Sequence, residues 1–102
     1  MNINIFGSTG IIGRKTLELI NKNFSDIKVN LLCANSNYNL LLAQANKFKP
    51  KYIYLNDINA HKIIKKKIRG KTKILNYDDL INYLKNSQSN FTILAISGYK
   101  SL

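Results

Sequence analysis

Three glycines, each separated from the next by two residues, make Gly7-Ser8-Thr9-Gly10-Ile11-Ile12-Gly13 the segment best suited to chemistry. It follows Asn2–Phe6, where Ile3 and Ile5 alternate as in a strand, and runs into residues 11–23, where Ile12, Thr16, Leu17, Leu19 and Ile20 recur at helical intervals. At a strand-turn-helix junction each glycine has a task. Gly7 permits the tight turn, Gly10 leaves no Cβ in the way of a diphosphate, and Gly13 lets the helix pack closely on the sheet. An anion placed there would meet free N–H groups and the positive end of the helix dipole. The spacing holds one residue more than the common Gly-x-Gly-x-x-Gly fingerprint, so a glycine-rich turn without a ligand is the competing reading.

In dinucleotide-binding folds the second strand ends, about 20 residues after the glycines, in an acid that holds the ribose 2′-hydroxyl. Here that place is taken by Asn35-Ser36-Asn37. No carboxylate is present to repel a 2′-phosphate, and three small polar side chains can donate to one, which favours NADPH over NADH. The plainer alternative is that Asn35, Ser36 and Asn37 only form the turn and cap the next helix.

The elements that must position these residues alternate along the chain. Lys28–Ala34 reads as a second strand and Tyr38–Phe48 as a helix that stops near Pro50, because a residue before proline is pushed out of helical geometry. Tyr52–Leu55 is a third, short strand. Asp57 or Asn56 can cap a helix through Ile63, Ile64 and Ile68 that Gly70 ends. Lys73–Leu75 reads as a fourth strand, Asp78 as the cap of a helix through Leu80, Ile81 and Leu84, and Phe91–Ile96 as a last strand buried on both faces. Strands separated by helices predict an α/β fold: a Rossmann-like parallel sheet of about five strands flanked by helices, with right-handed crossovers. Residues 1–102 are expected to be one domain, and the stop after Ser97-Gly98-Tyr99-Lys100-Ser101-Leu102, where another helix would normally begin, is expected to mark the amino-terminal piece of a longer enzyme.

The net charge of +11 raises the question of a nucleic-acid partner. Seven of the 16 basic residues lie in Lys62–Lys73 with no acid among them, so the excess is largely local. Without interleaved aromatic residues for base stacking, that cluster reads as a solvated helix face. A small basic nucleic-acid-binding module remains the alternative from another class, and the product of a decayed gene a third. The single Cys33 allows no internal disulfide, and the start Met1-Asn2-Ile3-Asn4-Ile5-Phe6 lacks the pattern of a signal peptide, which points to the cytoplasm. No apolar run reaches the roughly 20 residues that span a bilayer. Cys33 reads as a small buried hydrophobe, His61 as a solvated side chain, and Asp78-Asp79 as a cap plus a first-turn acid. The five acids, Glu18, Asp26, Asp57, Asp78 and Asp79, form no cluster with metal-ligand character.

Three stretches carry a resemblance to a known family. The opening Ile-Phe-Gly-Ser-Thr-Gly-Ile-Ile-Gly is similar to a Gly-Ser-Thr-Gly-Ser-Ile-Gly turn, Phe48-Lys49-Pro50-Lys51-Tyr52 to a Phe-x-Pro-Lys-Tyr stretch before the third strand, and Ala95-Ile96-Ser97-Gly98 to an Ala-Ile-x-Gly segment. In this order and separation they resemble the 1-deoxy-D-xylulose 5-phosphate reductoisomerases over the whole length of the chain. Ile11 stands where the family has Ser, which removes a hydroxyl and keeps the backbone N–H. The resemblance implies an oxidoreductase of isoprenoid precursor synthesis, in the methylerythritol phosphate pathway, that rearranges its substrate on a divalent metal (Mg or Mn) and transfers hydride from NADPH. It implies that Thr9, Gly10, Ile11 and Ile12 hold the cofactor phosphates, that Asn35, Ser36 and Asn37 hold the adenosine ribose end, and that Ser97 and Gly98 lie near the nicotinamide. The family's metal ligands and substrate-phosphate residues come after position 102. The resemblance therefore assigns this chain no catalytic residue and no metal ligand, implies that it is inactive alone, and implies a homodimer for the full-length enzyme.

Overall fold

The computed structural model describes residues 1–24, 26–87 and 91–95. They form five strands and four helices in strict alternation: β1 (Asn2–Phe6), α1 (Ile11–Asn23), β2 (Lys28–Ala34), α2 (Tyr38–Phe48), β3 (Tyr52–Leu55), α3 (Ile58–Lys67), β4 (Lys73–Ile74), α4 (Tyr77–Asn86) and β5 (Phe91–Leu94). All neighbouring strands are parallel, in the order β4-β3-β2-β1-β5. This is the expected Rossmann-like sheet. Successive crossovers through α1, α2 and α3 build outward from β1 on one side, and the chain then returns through α4 to place β5 on the other. The strand order thus reverses at β1, whose C-terminal end is where open α/β sheets receive ligands.

β2 shows how the sequence drives this layering. Leu32 and Ala34 point into a cluster with Ile5, Leu17, Leu41, Ile53 and Ile64, which joins β1, β2 and β3 to α1, α2 and α3. The alternate residues Leu31 and Cys33 point to the opposite face and pack with Leu75, Leu80 and Tyr83. A strand buried on both sides must be apolar at nearly every position, and each large side chain so buried contributes about 1.5–3 kcal/mol of transfer free energy. The one fully buried polar side chain in β1, Asn4, is satisfied from α4 and β5: Tyr83 Oη donates to its Oδ1 at 2.8 Å, and its Nδ2 donates to Thr92 Oγ1 at 3.4 Å.

Three helices begin on a side-chain cap. Asn37 accepts from Leu40 N at 3.1 Å, Asp57 from Ala60 N at 2.9 Å and Asn76 from Asp79 N at 2.8 Å. The α4 cap is therefore Asn76 and not Asp78. Asp78 and Asp79 occupy the first turn, where their charge complements the helix dipole.

Other expectations are corrected too. β5 is an edge strand and not buried on both faces: Phe91 is 61% and Leu94 72% exposed, because no neighbour lies beyond it among the described residues. The buried stripe of α1 is Gly13, Leu17 and Ile20, leaving Ile12 and Leu19 exposed. His61 is half-buried, its Nδ1 3.2 Å from Leu55 O and its ring edge-on to Tyr54. No helix among the described residues is long and apolar enough to cross a membrane.

Candidate functional site

The glycine turn is locked in place by its own backbone and by α2. Gly7 adopts φ 85°, a left-handed conformation that favours glycine, and its amide donates to Cys33 O at 2.8 Å. Ser8 N donates to the same carbonyl at 3.1 Å, and Gly10 N turns back to Gly7 O at 3.2 Å. From α2, Gln44 Nε2 donates to Ser8 O at 2.8 Å, with both residues buried. α1 then lies directly on the turn, since a Cβ on Gly13 would sit 2.1 Å from Gly7 O. Gly13 is thus required by close approach, as the spacing predicts.

These bonds divide the amides of the turn into two sets. Those of Gly7, Ser8 and Gly10 are consumed internally. Those of Thr9, Ile11 and Ile12 meet no acceptor among the described residues, and α1, unlike α2, α3 and α4, has no side-chain cap. Gly10 itself has φ −79° and ψ 177°, a backbone conformation open to any residue. Its dihedral angles therefore do not demand glycine. Ile11 and Ile12, 65% and 53% exposed, flank this patch of open donors with apolar surface.

Beside the turn, at the C-terminal ends of β1, β2 and β3, lies a cleft of about 350 Å³ lined by Phe6, Gly7, Cys33, Asn35, Tyr54 and Tyr77 among others. That volume is within the range of small-molecule sites. Asn35 lines it, and Asn35, Ser36 and Asn37 stand exposed directly after β2. Asn37 spends its Oδ1 on the α2 cap, and Asn35 Oδ1 accepts from Asn56 Nδ2 at 3.4 Å, so in both residues the amide nitrogen is the group left to donate outward. The neighbouring acid, Asp57, has its amide on Asn35 O and its carboxylate turned to Ala60 N. Ser97 and Gly98 lie outside the described residues.

Sequence reasoning missed Gln44, Tyr54, Asn56 and Tyr77. Gln44 carried a signal: it lies three residues after Leu41, on the helix face that Leu41 and Ala45 bury, and a polar side chain there needs a partner.

Cys33, whose carbonyl anchors the turn, is 4% exposed, and burial pushes its thiol up to about 12 from an ordinary 9.0. The folded chain keeps a proton that the unfolded chain releases above about pH 9, so this contribution to stability is whole below that pH and is lost as pH climbs towards about 12. We expect a thiol reagent at about pH 8 to leave the native chain unlabelled and to label it fully in denaturant, read by mass spectrometry. Rapid native labelling would contradict the burial.

Comparison with known proteins agrees with this architecture. Residues 3–102 match the family model described as 1-deoxy-D-xylulose 5-phosphate reductoisomerase. A relative of that name from Pelagibacter ubique is 35% identical over 103 residues, covering 98% of this chain and 26% of the relative. Another from Wolbachia pipientis is 40% identical over 68 residues, covering 67% of this chain and 17% of the relative. The Zymomonas mobilis reductoisomerase in complex with NADPH superposes with a TM-score of 0.64 at 28% identity, over 72% of this chain and 20% of that one. A reductoisomerase in complex with NADPH, fosmidomycin and magnesium superposes with a TM-score of 0.82 at 26% identity, over 94% of this chain and 24% of the other. The chain thus spans about a quarter or less of the length of these relatives. With the family model matched over nearly every residue and the sheet shared with solved members, the chain belongs to the 1-deoxy-D-xylulose 5-phosphate reductoisomerase family.

Proposed function

We propose that the chain is the NADPH-binding part of a 1-deoxy-D-xylulose 5-phosphate reductoisomerase. The observation that carries this reading is the set of open amides of Thr9, Ile11 and Ile12 at the uncapped start of α1, on a turn that the amides of Gly7, Ser8 and Gly10 hold together internally. A diphosphate docked there would take charge-assisted hydrogen bonds from those three residues and the dipole of α1, with Gly10 leaving room for its approach. The adenosine would lie in the cleft between Tyr54 and Tyr77, with Asn35, Ser36 and Asn37 donating to the 2′-phosphate. Support comes from the two superposed relatives, each solved with NADPH.

Bound NADPH would supply a hydride in the full-length enzyme, and this chain's share of the work is to hold and orient the dinucleotide. Among the described residues no three His, Cys, Asp or Glu side chains gather as metal ligands. The rearrangement of 1-deoxy-D-xylulose 5-phosphate, the metal that assists it and a homodimeric assembly belong, on this reading, to the full-length protein. The lone buried Cys33 suits the reducing cytoplasm.

Titration of the chain with each reduced cofactor, followed by nicotinamide fluorescence and calorimetry, tests the reading. NADPH should bind about tenfold or more tightly than NADH, the equivalent of about 1.4 kcal/mol from contacts to the extra phosphate. Equal affinities would remove the role given to Asn35, Ser36 and Asn37. A folded chain that binds neither cofactor would remove the whole assignment.

A further inference from the structure

A second, larger cleft lies at the opposite end of the sheet, where the strands begin. It encloses about 800 Å³, and its lining includes Lys28, Lys49, Lys51, Arg69 and Lys71, with no acid. These cations come from three separate stretches: the start of β2, the turn between α2 and β3, and the turn between α3 and β4. The two turns are tied together, Thr72 Oγ1 donating to Pro50 O at 2.6 Å and Lys73 N to Lys51 O at 3.0 Å. Lys49 is held at φ 50°, the one left-handed non-glycine residue among those described, and its amide closes α2 on Ala45 O at 2.9 Å. Asn30, skipped in the pairing of β1 with β2, joins Asn2 and Asn46 in supplying amide groups to the wall.

Charge decides what such a cleft can hold. The C-terminal ends of α2 and α3 approach it, and each helix dipole offers only about half a negative charge against five full positive ones. Among the described residues the one ion pair is Lys22–Glu18, so no carboxylate neutralises the five. Among the described residues no aromatic ring lines the cleft, so they offer none of the stacking platform that a single-stranded nucleic acid needs. We infer that this cleft binds a small polyanion with two or more consecutive phosphate groups, at a site separate from the glycine turn.

Calorimetry with inorganic tripolyphosphate at low ionic strength tests the inference on two variants of equal net charge. K49A/K51A/R69A removes three cations from the cleft, and K62A/K65A/K66A removes three from α3, none of which lines it. All six side chains are exposed, so both variants should fold, as circular dichroism melting would verify. The cleft variant should bind about tenfold or more weakly and the α3 variant within about twofold of the parent. Equal weakening in both would mean diffuse attraction to net charge and would overturn the proposal, as would absence of binding to the parent chain. Loss of binding in G10V would move the ion to the glycine turn and overturn it as well. Adenosine triphosphate run alongside separates the sources: with the same variant pattern, tighter binding than tripolyphosphate identifies a nucleotide, and equal binding identifies the phosphate chain alone.

Discussion

Gly13→Ala is expected to destabilise the chain by about 3 kcal/mol or more, although alanine is the better helix former. On propensity alone the change should stabilise α1 by about 1 kcal/mol, since glycine in a helix interior costs that much. The contacts reverse the sign. The new Cβ would stand 2.1 Å from Gly7 O and 2.6 Å from Ser8 Cα, and both are backbone atoms with no rotamer through which to escape. Relief requires α1 to lift away from the turn, pulling Leu17 and Ile20 out of the core cluster. It also strains the bonds from Gly7 N and Ser8 N to Cys33 O. Urea unfolding followed by circular dichroism reads the effect directly. A midpoint equal to or above that of the parent chain would show that the turn yields freely and that Gly13 is not a packing requirement.

How far sequence reasoning reached depends on the range of the forces involved. β1, α1, β2, α2 and β3 start and stop where periodicity and Pro50 place them, because those signals are local and agree with burial. The roles of Gly7 and Gly13 were readable for the same reason: a turn between a strand and a helix imposes its steric needs over seven residues. Long-range consequences were not readable. Phe91 and Leu94 look like core residues until the strand order puts β5 at the edge of the described sheet. The choice of Asn76 over Asp78 as the α4 cap turns on a shift of two residues between side chains of equal capping ability. Gln44 acquires its meaning only when α2 packs over the turn, 36 residues away in sequence. The basic cleft was hidden more completely. The run Lys62–Lys73 draws attention to α3, whereas the cations that converge are Arg69 and Lys71 from its far end with Lys28, Lys49 and Lys51.

Gly10→Val separates a glycine that the fold needs from one that a ligand needs. The bonds made at position 10 are backbone bonds, from its amide to Gly7 O and from Arg14 N to its carbonyl at 2.9 Å, and they survive a change of side chain. Its dihedral angles lie in the extended region that valine readily adopts. We therefore expect a stability loss within about 1 kcal/mol, the ordinary range for exchanging residues at an N-cap. Cofactor affinity should respond far more. Valine methyl groups beside the amides of Thr9, Ile11 and Ile12 would keep a diphosphate from hydrogen-bonding distance, and losing two charge-assisted bonds of about 1.5 kcal/mol each weakens NADPH binding about 100-fold. The pair of measurements is decisive because the two explanations of the glycine predict opposite patterns. A variant with unchanged melting and lost NADPH binding places the diphosphate at the start of α1. One that melts as early as Gly13→Ala, or binds NADPH as the parent does, would reduce the turn to a structural feature without a ligand.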